Sequence, residues 1–177
     1  MALFQKENAP GKEGVEETEY PSCGLPFEKA CDKNEQKIIT EFWNQTFTED
    51  INRMYDAKRC GFLKFGDQLY LAPPQCPSLK GLKVMRAGLH LGEMKKDRFE
   101  PAHALALASD RTKVKKQYAL SEKDAYAYQR GEGKSGLSLE KTDLGWTILT
   151  FRGFPLGWGK ASGSQIKNHC PKGLRRS

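Results

Sequence analysis

The sequence is poor in cysteine, in histidine and in long apolar runs. Five cysteines occur in 177 residues, at positions 23, 31, 60, 76 and 170. Their number is odd, their spacings are wide and no Cys-x-x-Cys pair occurs. That excludes a disulfide framework and a paired-cysteine zinc site, and leaves free thiols. The longest uncharged stretches, such as Leu69–Leu79, are short and interrupted by prolines, so no membrane-spanning helix fits. The first residues, Met1-Ala-Leu-Phe-Gln-Lys-Glu, lack the apolar core of a secretory signal. A soluble, cytoplasmic protein is expected. The three histidines, His90, His103 and His169, form neither H-x-x-x-H nor H-E-x-x-H, so no metal is expected.

Acidic residues are missing from the end of the chain. Residues 1–60 carry a net charge of −4 and residues 61–177 a net charge of +11. Between Lys160 and Ser177 stand Lys160, Lys167, Lys172, Arg175 and Arg176, with no carboxylate among them. A field of one sign attracts polyanions.

Hydrophobic periodicity organises the chain. Residues 1–33 read as an extension: Asn8–Glu19 is acidic, carries Pro and Gly, and cannot offset its ordering entropy by burial. Ile38, Ile39, Phe42, Trp43 and Phe47 follow the i, i+3, i+4 spacing of an amphipathic helix over Asn34–Thr46, with Asn34 as N-cap. A further helical turn is expected around Glu49–Asp56. Phe62–Phe65 and Leu69–Leu71 flank a Gly66-Asp67 turn and predict a hairpin. Leu82–Glu93 predicts one more strand, and Glu100–Ala108 a helix with Pro101 in its first turn. A helix over Leu120–Arg130 capped by Ser121 follows. Gly131–Leu139 is a glycine-rich connection, and Gly145–Lys160 reads as two strands about a Gly-Phe-Pro turn. Short strands with glycines and aromatics predict a small β-barrel. The fold class is α+β: a helix-plus-sheet domain over 34–109, then a barrel over 110–177.

Two glycine motifs do not carry their usual chemistry. Gly131-Glu-Gly-Lys-Ser-Gly matches G-x-G-x-x-G, and its Gly-Lys-Ser mimics the end of a P-loop. Either motif needs a strand before it and a helix after it, so that phosphate meets a helix N-terminus. Here a helix precedes and a strand follows, and Tyr128 stands where a P-loop needs glycine. His169 and Cys170 suggest a nucleophile pair, but no third orienting group is identifiable.

The stronger pattern is basic and aromatic. Arg152, Trp158, Lys160, Lys167, His169, Lys172, Arg175 and Arg176 fall close together among glycines. RNA recognition uses cations on the phosphate backbone and flat side chains against unpaired bases. Trp146 and Phe151 are expected inside the barrel, and Trp158, between two glycines, is the candidate platform. Lys83, Arg86, Lys95, Lys96 and Arg98 form a second basic set that could extend this surface.

Four segments carry a family resemblance: Leu82–Glu93, Arg98–Ala108, Gly153–Lys160 and Ile166–Arg176. Together they resemble the C-terminal, non-catalytic half of the RsmF-like ribosomal RNA cytosine-5 methyltransferases, over residues 34–176. Met1–Lys6 looks like the last strand of that family's catalytic domain. The resemblance implies a Rossmann-like S-adenosylmethionine domain bearing a cysteine nucleophile, then a small α/β region, then a PUA-like RNA-binding barrel. The Pro-Cys setting of the nucleophile is absent here, since Pro21-Ser-Cys-Gly and Pro74-Gln-Cys-Pro are only superficially similar to it. No catalytic residue, cofactor or metal is therefore assigned to this chain.

The expected function is to bind ribosomal RNA and position a cytosine for a catalytic domain that this chain lacks. Lys160, Lys167, Lys172, Arg175 and Arg176 would hold phosphates, with Lys83 and Arg86 extending the surface. Trp158 or Arg152 would stack on a base or pack against ribose, and Gly157 and Gly159 would let RNA approach the backbone. The alternative is a protein-interaction module, in which the aromatic helix and the acidic N-terminal segment dock the catalytic domain or another partner. A stand-alone enzyme is a third reading, which uptake of S-adenosylmethionine would support.

Overall fold

Asp32 starts the first long helix. A computed structural model of the chain describes residues 24–54, 60–73 and 76–176. The expected extension, the Met1–Lys6 strand and Cys23 lie outside these residues or mostly so. A short helix α1 (Phe27–Ala30) leads into α2 (Lys33–Thr46). The Asp32 carboxylate accepts from the amides of Asn34 and Glu35 at 2.8 and 2.9 Å, and the Asp32 amide donates to the Glu35 carboxylate at 3.0 Å. That reciprocal box displaces the expected Asn34 cap, because Asp32 has Glu three residues on to close it. A one-turn helix α3 (Ile51–Met54) follows.

The first sheet is antiparallel, in the order β1 (Gly61–Phe65), β2 (Gln68–Ala72), β3 (Leu89–Lys95) and β4 (Arg98–Pro101). The hairpin about Gly66-Asp67 stands where the sequence places it. The strand expected over Leu82–Glu93 begins only at Leu89. Gly88 has φ of +111°, and a Cβ there would collide with the Leu71 carbonyl, so the chain turns there and residues before it form a loop. Pro101 does not open a helix; it ends β4 opposite Gly92, and α4 (His103–Ala108) starts two residues later.

The second sheet has the order β5–β7–β8–β9–β6, from β5 (Gln117–Ala119), β6 (Lys134–Ser135), β7 (Gly145–Phe151), β8 (Phe154–Ser162) and β9 (Gln165–Asn168). β5 runs parallel to β7 and the other pairings are antiparallel. The result is a curled PUA-like half-barrel rather than a closed one. Helix α5 (Glu122–Gln129), capped by Ser121 as expected, packs on its concave face.

Among the described residues the buried side chains form two clusters, and the second sheet lies between them. Leu149, Ala161 and Ile166 point inward to Leu120, Ala125, Tyr128 and Cys170. Ile148 and Trp158 point outward and join Phe42, Trp43, Phe47, Phe99 and Leu105 of the helix-plus-sheet half. The two halves thus share one core. The aromatic face of α2 is consumed by it: Ile39, Phe42, Trp43 and Phe47 are buried in this chain. That removes the surface on which docking of a partner through this helix was expected.

Candidate nucleic-acid interface

Trp158 is 1% exposed. Its ring meets Phe42 edge-on at 5.9 Å, and its indole Nε1 donates to the Ala102 carbonyl at 2.8 Å. It is a core residue joining the halves, and no base can stack on it. The neighbouring glycines are equally internal. A Cβ on Gly157, whose φ is +148°, would collide with the Tyr128 hydroxyl and the His103 ring. One on Gly159 would meet Ile166 and Leu149. Both glycines make room for protein, not for RNA.

The aromatic ring that remains partly open on this face is that of Trp146. It was expected in the barrel, yet it stands half-buried on the outer face of β7, directly opposite Lys160 of β8, which in turn faces Lys167 of β9. Residues opposite one another across strands share a face, so these three side chains make a row on the convex side. The Lys160 ammonium lies 5.3 Å from the Trp146 ring centroid. His169 meets the same ring edge-on at 4.4 Å. Burial against the tryptophan depresses the His169 pKa, Lys160 and Lys167 add to this, and Glu100 opposes it. At neutral pH the imidazole is therefore uncharged and flat.

The chain continues from His169 to Pro171, which lines a cleft of about 640 Å³ between the halves. Arg86, His90 and Tyr70 line it from the first sheet side, His103 from α4, and Pro171 and Leu174 from the C-terminal segment. Tyr70 and His90 stack at 4.7 Å. Burial lowers the pKa of both His90 and His103. These residues are scattered in sequence, and only the shared core brings them together. Among the described residues no group of His, Cys, Asp or Glu has the geometry to hold a metal.

The expected cations divide. Lys160, Lys167 and Lys172 are on the row or beside the cleft, with Arg86 across it. Lys83 is exposed in the loop before Gly88. Arg175 instead folds back: its Nε donates to the Cys170 carbonyl at 3.1 Å, and its guanidinium lies against Gly131. The Arg176 amide donates to the Gln129 carbonyl at the end of α5. Arg152 sits apart, at the tip of the β7–β8 hairpin. In the second basic set Lys95 pairs with Glu93 and Arg98 with Glu100, so those two charges are neutralised. No described carboxylate pairs with Arg86, Arg152, Lys160, Lys167, Lys172, Arg175 or Arg176.

The nucleotide and nucleophile motifs meet different surroundings. The Gly131–Gly136 loop runs from α5 into β6, which pairs with β9. Its amides head no helix, so the loop lacks the phosphate-binding geometry that either glycine motif needs. His169 faces Trp146 while Cys170 is buried in the inner cluster, where burial raises the thiol pKa. They are on opposite sides of the strand and form no dyad. Cys31 and Cys170 are free thiols.

Comparison with known proteins matches both halves. Residues 42–108 match the RsmF rRNA methyltransferase first C-terminal domain, and residues 115–176 match the methyltransferase RsmF PUA domain. This chain belongs to the RsmF family. A ribosomal RNA small subunit methyltransferase F from Enterobacter sp. (strain 638) is 30% identical over 112 residues, which are 62% of this chain and 22% of that protein. The RsmF-family chain thus spans about a fifth of its curated relative, and the matched domains are C-terminal, non-catalytic ones. Among the described residues no helix is long and apolar enough to cross a membrane.

Proposed function

We propose that this chain is the RNA-binding region of a ribosomal RNA cytosine-5 methyltransferase, and that it positions rRNA for an S-adenosylmethionine-dependent catalytic domain outside the described residues. The observation that carries this reading is the row Trp146, Lys160, Lys167 and His169, flanked by the cleft at Arg86 and Lys172. The lysines hold phosphates, and the indole and neutral imidazole lie against bases or ribose. Lys83 extends the cationic side. The family matches support RNA as the polyanion. In this scheme the chain makes and breaks no bond, binds no cofactor or metal of its own, and works in the cytoplasm.

The salt dependence of binding tests it. With a single-stranded rRNA fragment, log affinity falls against log salt with a slope of about −0.7 per phosphate contact. Replacing Lys160 and Lys167 together by Ala is expected to flatten the slope by about 1.4 if each holds one phosphate. An unchanged slope in a folded double variant would contradict the assignment.

A further inference from the structure

The tip of the β7–β8 hairpin breaks a rule of its own turn. Phe151 and Phe154 pair across a two-residue loop, Arg152-Gly153, with φ of +50° and +84°. Two positive values in succession are those of the type I′ turn, which favours Asn-Gly, Asp-Gly or Gly-Gly. Arginine in the first place is strained. Among the described residues only Lys96 shares this fault. The hairpin also carries a register shift between Leu149 and Thr150, and strain at the turn residue directs attention to what its side chain does.

The surroundings say what that side chain serves. The Arg152 guanidinium lies 5.1 Å from the Phe151 ring centroid, which fixes its direction. A second guanidinium approaches the same turn from the segment after α4: Arg111 Nη1 lies 2.6 Å from where a Cβ on Gly153 would stand. No described carboxylate pairs with either arginine. Beside them Phe154, at the head of β8, is 73% exposed, whereas Trp158 of the same strand is 1% exposed. From Leu144 to the end of the chain there is no acidic residue. Two unpaired, forked cations and a bare ring at one tip fit a phosphate and the base attached to it.

We infer that Arg111, Arg152 and Phe154 form a second nucleotide-binding point, which takes one unpaired nucleotide of the bound RNA. The two guanidiniums clasp its phosphate and Phe154 stacks on its base. This rests on the RNA-binding reading above. Its position differs: the tip is at the far end of β7 from Trp146, and Phe154 shares a face with Phe151 and the inner cluster, not with the lysine row. The RNA is held at two places on one sheet.

The test is anisotropy titration of the full chain with a labelled unstructured RNA oligonucleotide and with a blunt RNA duplex of equal length. Arg152→Asn restores the residue that the turn prefers, so the thermal midpoint is expected to hold or rise while affinity for the single strand drops several-fold. Phe154→Ala, at an exposed site, is expected to weaken the single strand roughly five- to tenfold. It should leave the duplex, whose bases are already stacked, unchanged, and Phe154→Trp should retain binding. If the unaltered chain binds RNA and the tip variants bind equally well, the tip is not a nucleotide site although the RNA-binding reading stands. If Phe154→Ala weakens single strand and duplex alike, base stacking is refuted. If the unaltered chain binds no RNA, both readings fail.

Discussion

Trp158 and Trp146 lie on the same face of the same sheet, in adjacent rows of the β7–β8 ladder, and have opposite fates. Trp158 faces Ile148 and is sealed under Phe42 and the Ala102 carbonyl. Trp146 faces Lys160 and emerges beside His169. Nothing in strand chemistry separates them: both are aromatic, both stand near glycine, and their rings meet edge-on at 6.1 Å. What separates them is how far α2 and α4 extend over the sheet. Where the helices cover it, the convex face is core; one row further on, it is open and forms the proposed interface.

Breaking the covered row should have the largest effect. Trp158→Ala removes a fully buried ring and its hydrogen bond to the Ala102 carbonyl, and a loss of about 3–5 kcal/mol of stability is expected by chemical denaturation. Because the ring joins the two halves, their unfolding should also cease to be a single transition. Gly157→Ala comes next. A methyl there collides with Tyr128 and His103, and a cost on the order of 1–3 kcal/mol is expected in the same assay.

On the open row the balance reverses. Trp146→Ala should cost less stability than Trp158→Ala, yet lower affinity for single-stranded RNA by at least about fivefold, since one stacked base is worth about 1–3 kcal/mol. Equal binding by this variant would make Trp146 a second core residue and erase the contrast.

Acidity gives the smallest and most graded effect. The pKa values of His90, His103 and His169 are held below the ordinary imidazole value, in each case chiefly by burial. The neutral forms therefore favour the fold. Their contribution is complete above the unfolded value of about 6.5 and is lost as pH falls through the folded values. Stability should decline over that acidic range, most clearly for the chain without RNA. Protonation of His169 also adds a cation beside Lys160 and Lys167, so RNA affinity at fixed salt should rise as stability falls. A His169→Gln variant should lose the affinity rise and keep most of the stability decline, because His90 and His103 remain.

The elements whose signals are local were legible in the sequence. The α2 stripe, the Gly66-Asp67 hairpin and the Ser121 cap follow from spacing and turn chemistry alone. Pro101 misled because the same fixed φ suits a strand end as well as a first helical turn. Trp158 misled for a different reason. Flanking glycines signal close approach of something, and sequence cannot say whether that is RNA or, as found, Tyr128, His103 and Ile166. The alternation Trp146, Ile148 against Thr147, Leu149 did mark two faces on β7. Which one stays open depends on residues more than forty positions earlier. Arg111 carried no signal at all, since only the path of the chain after α4 brings it to Gly153.

Photocrosslinking of the full chain to a single-stranded rRNA fragment carrying 4-thiouridine, with the attached peptides read by mass spectrometry, examines the open row directly. Cross-links on the strand segments holding Trp146 and Lys167–His169 are expected, reduced when Lys160 and Lys167 are Ala. Cross-links confined to the exposed side of α2, with none on those strands, would contradict the interface.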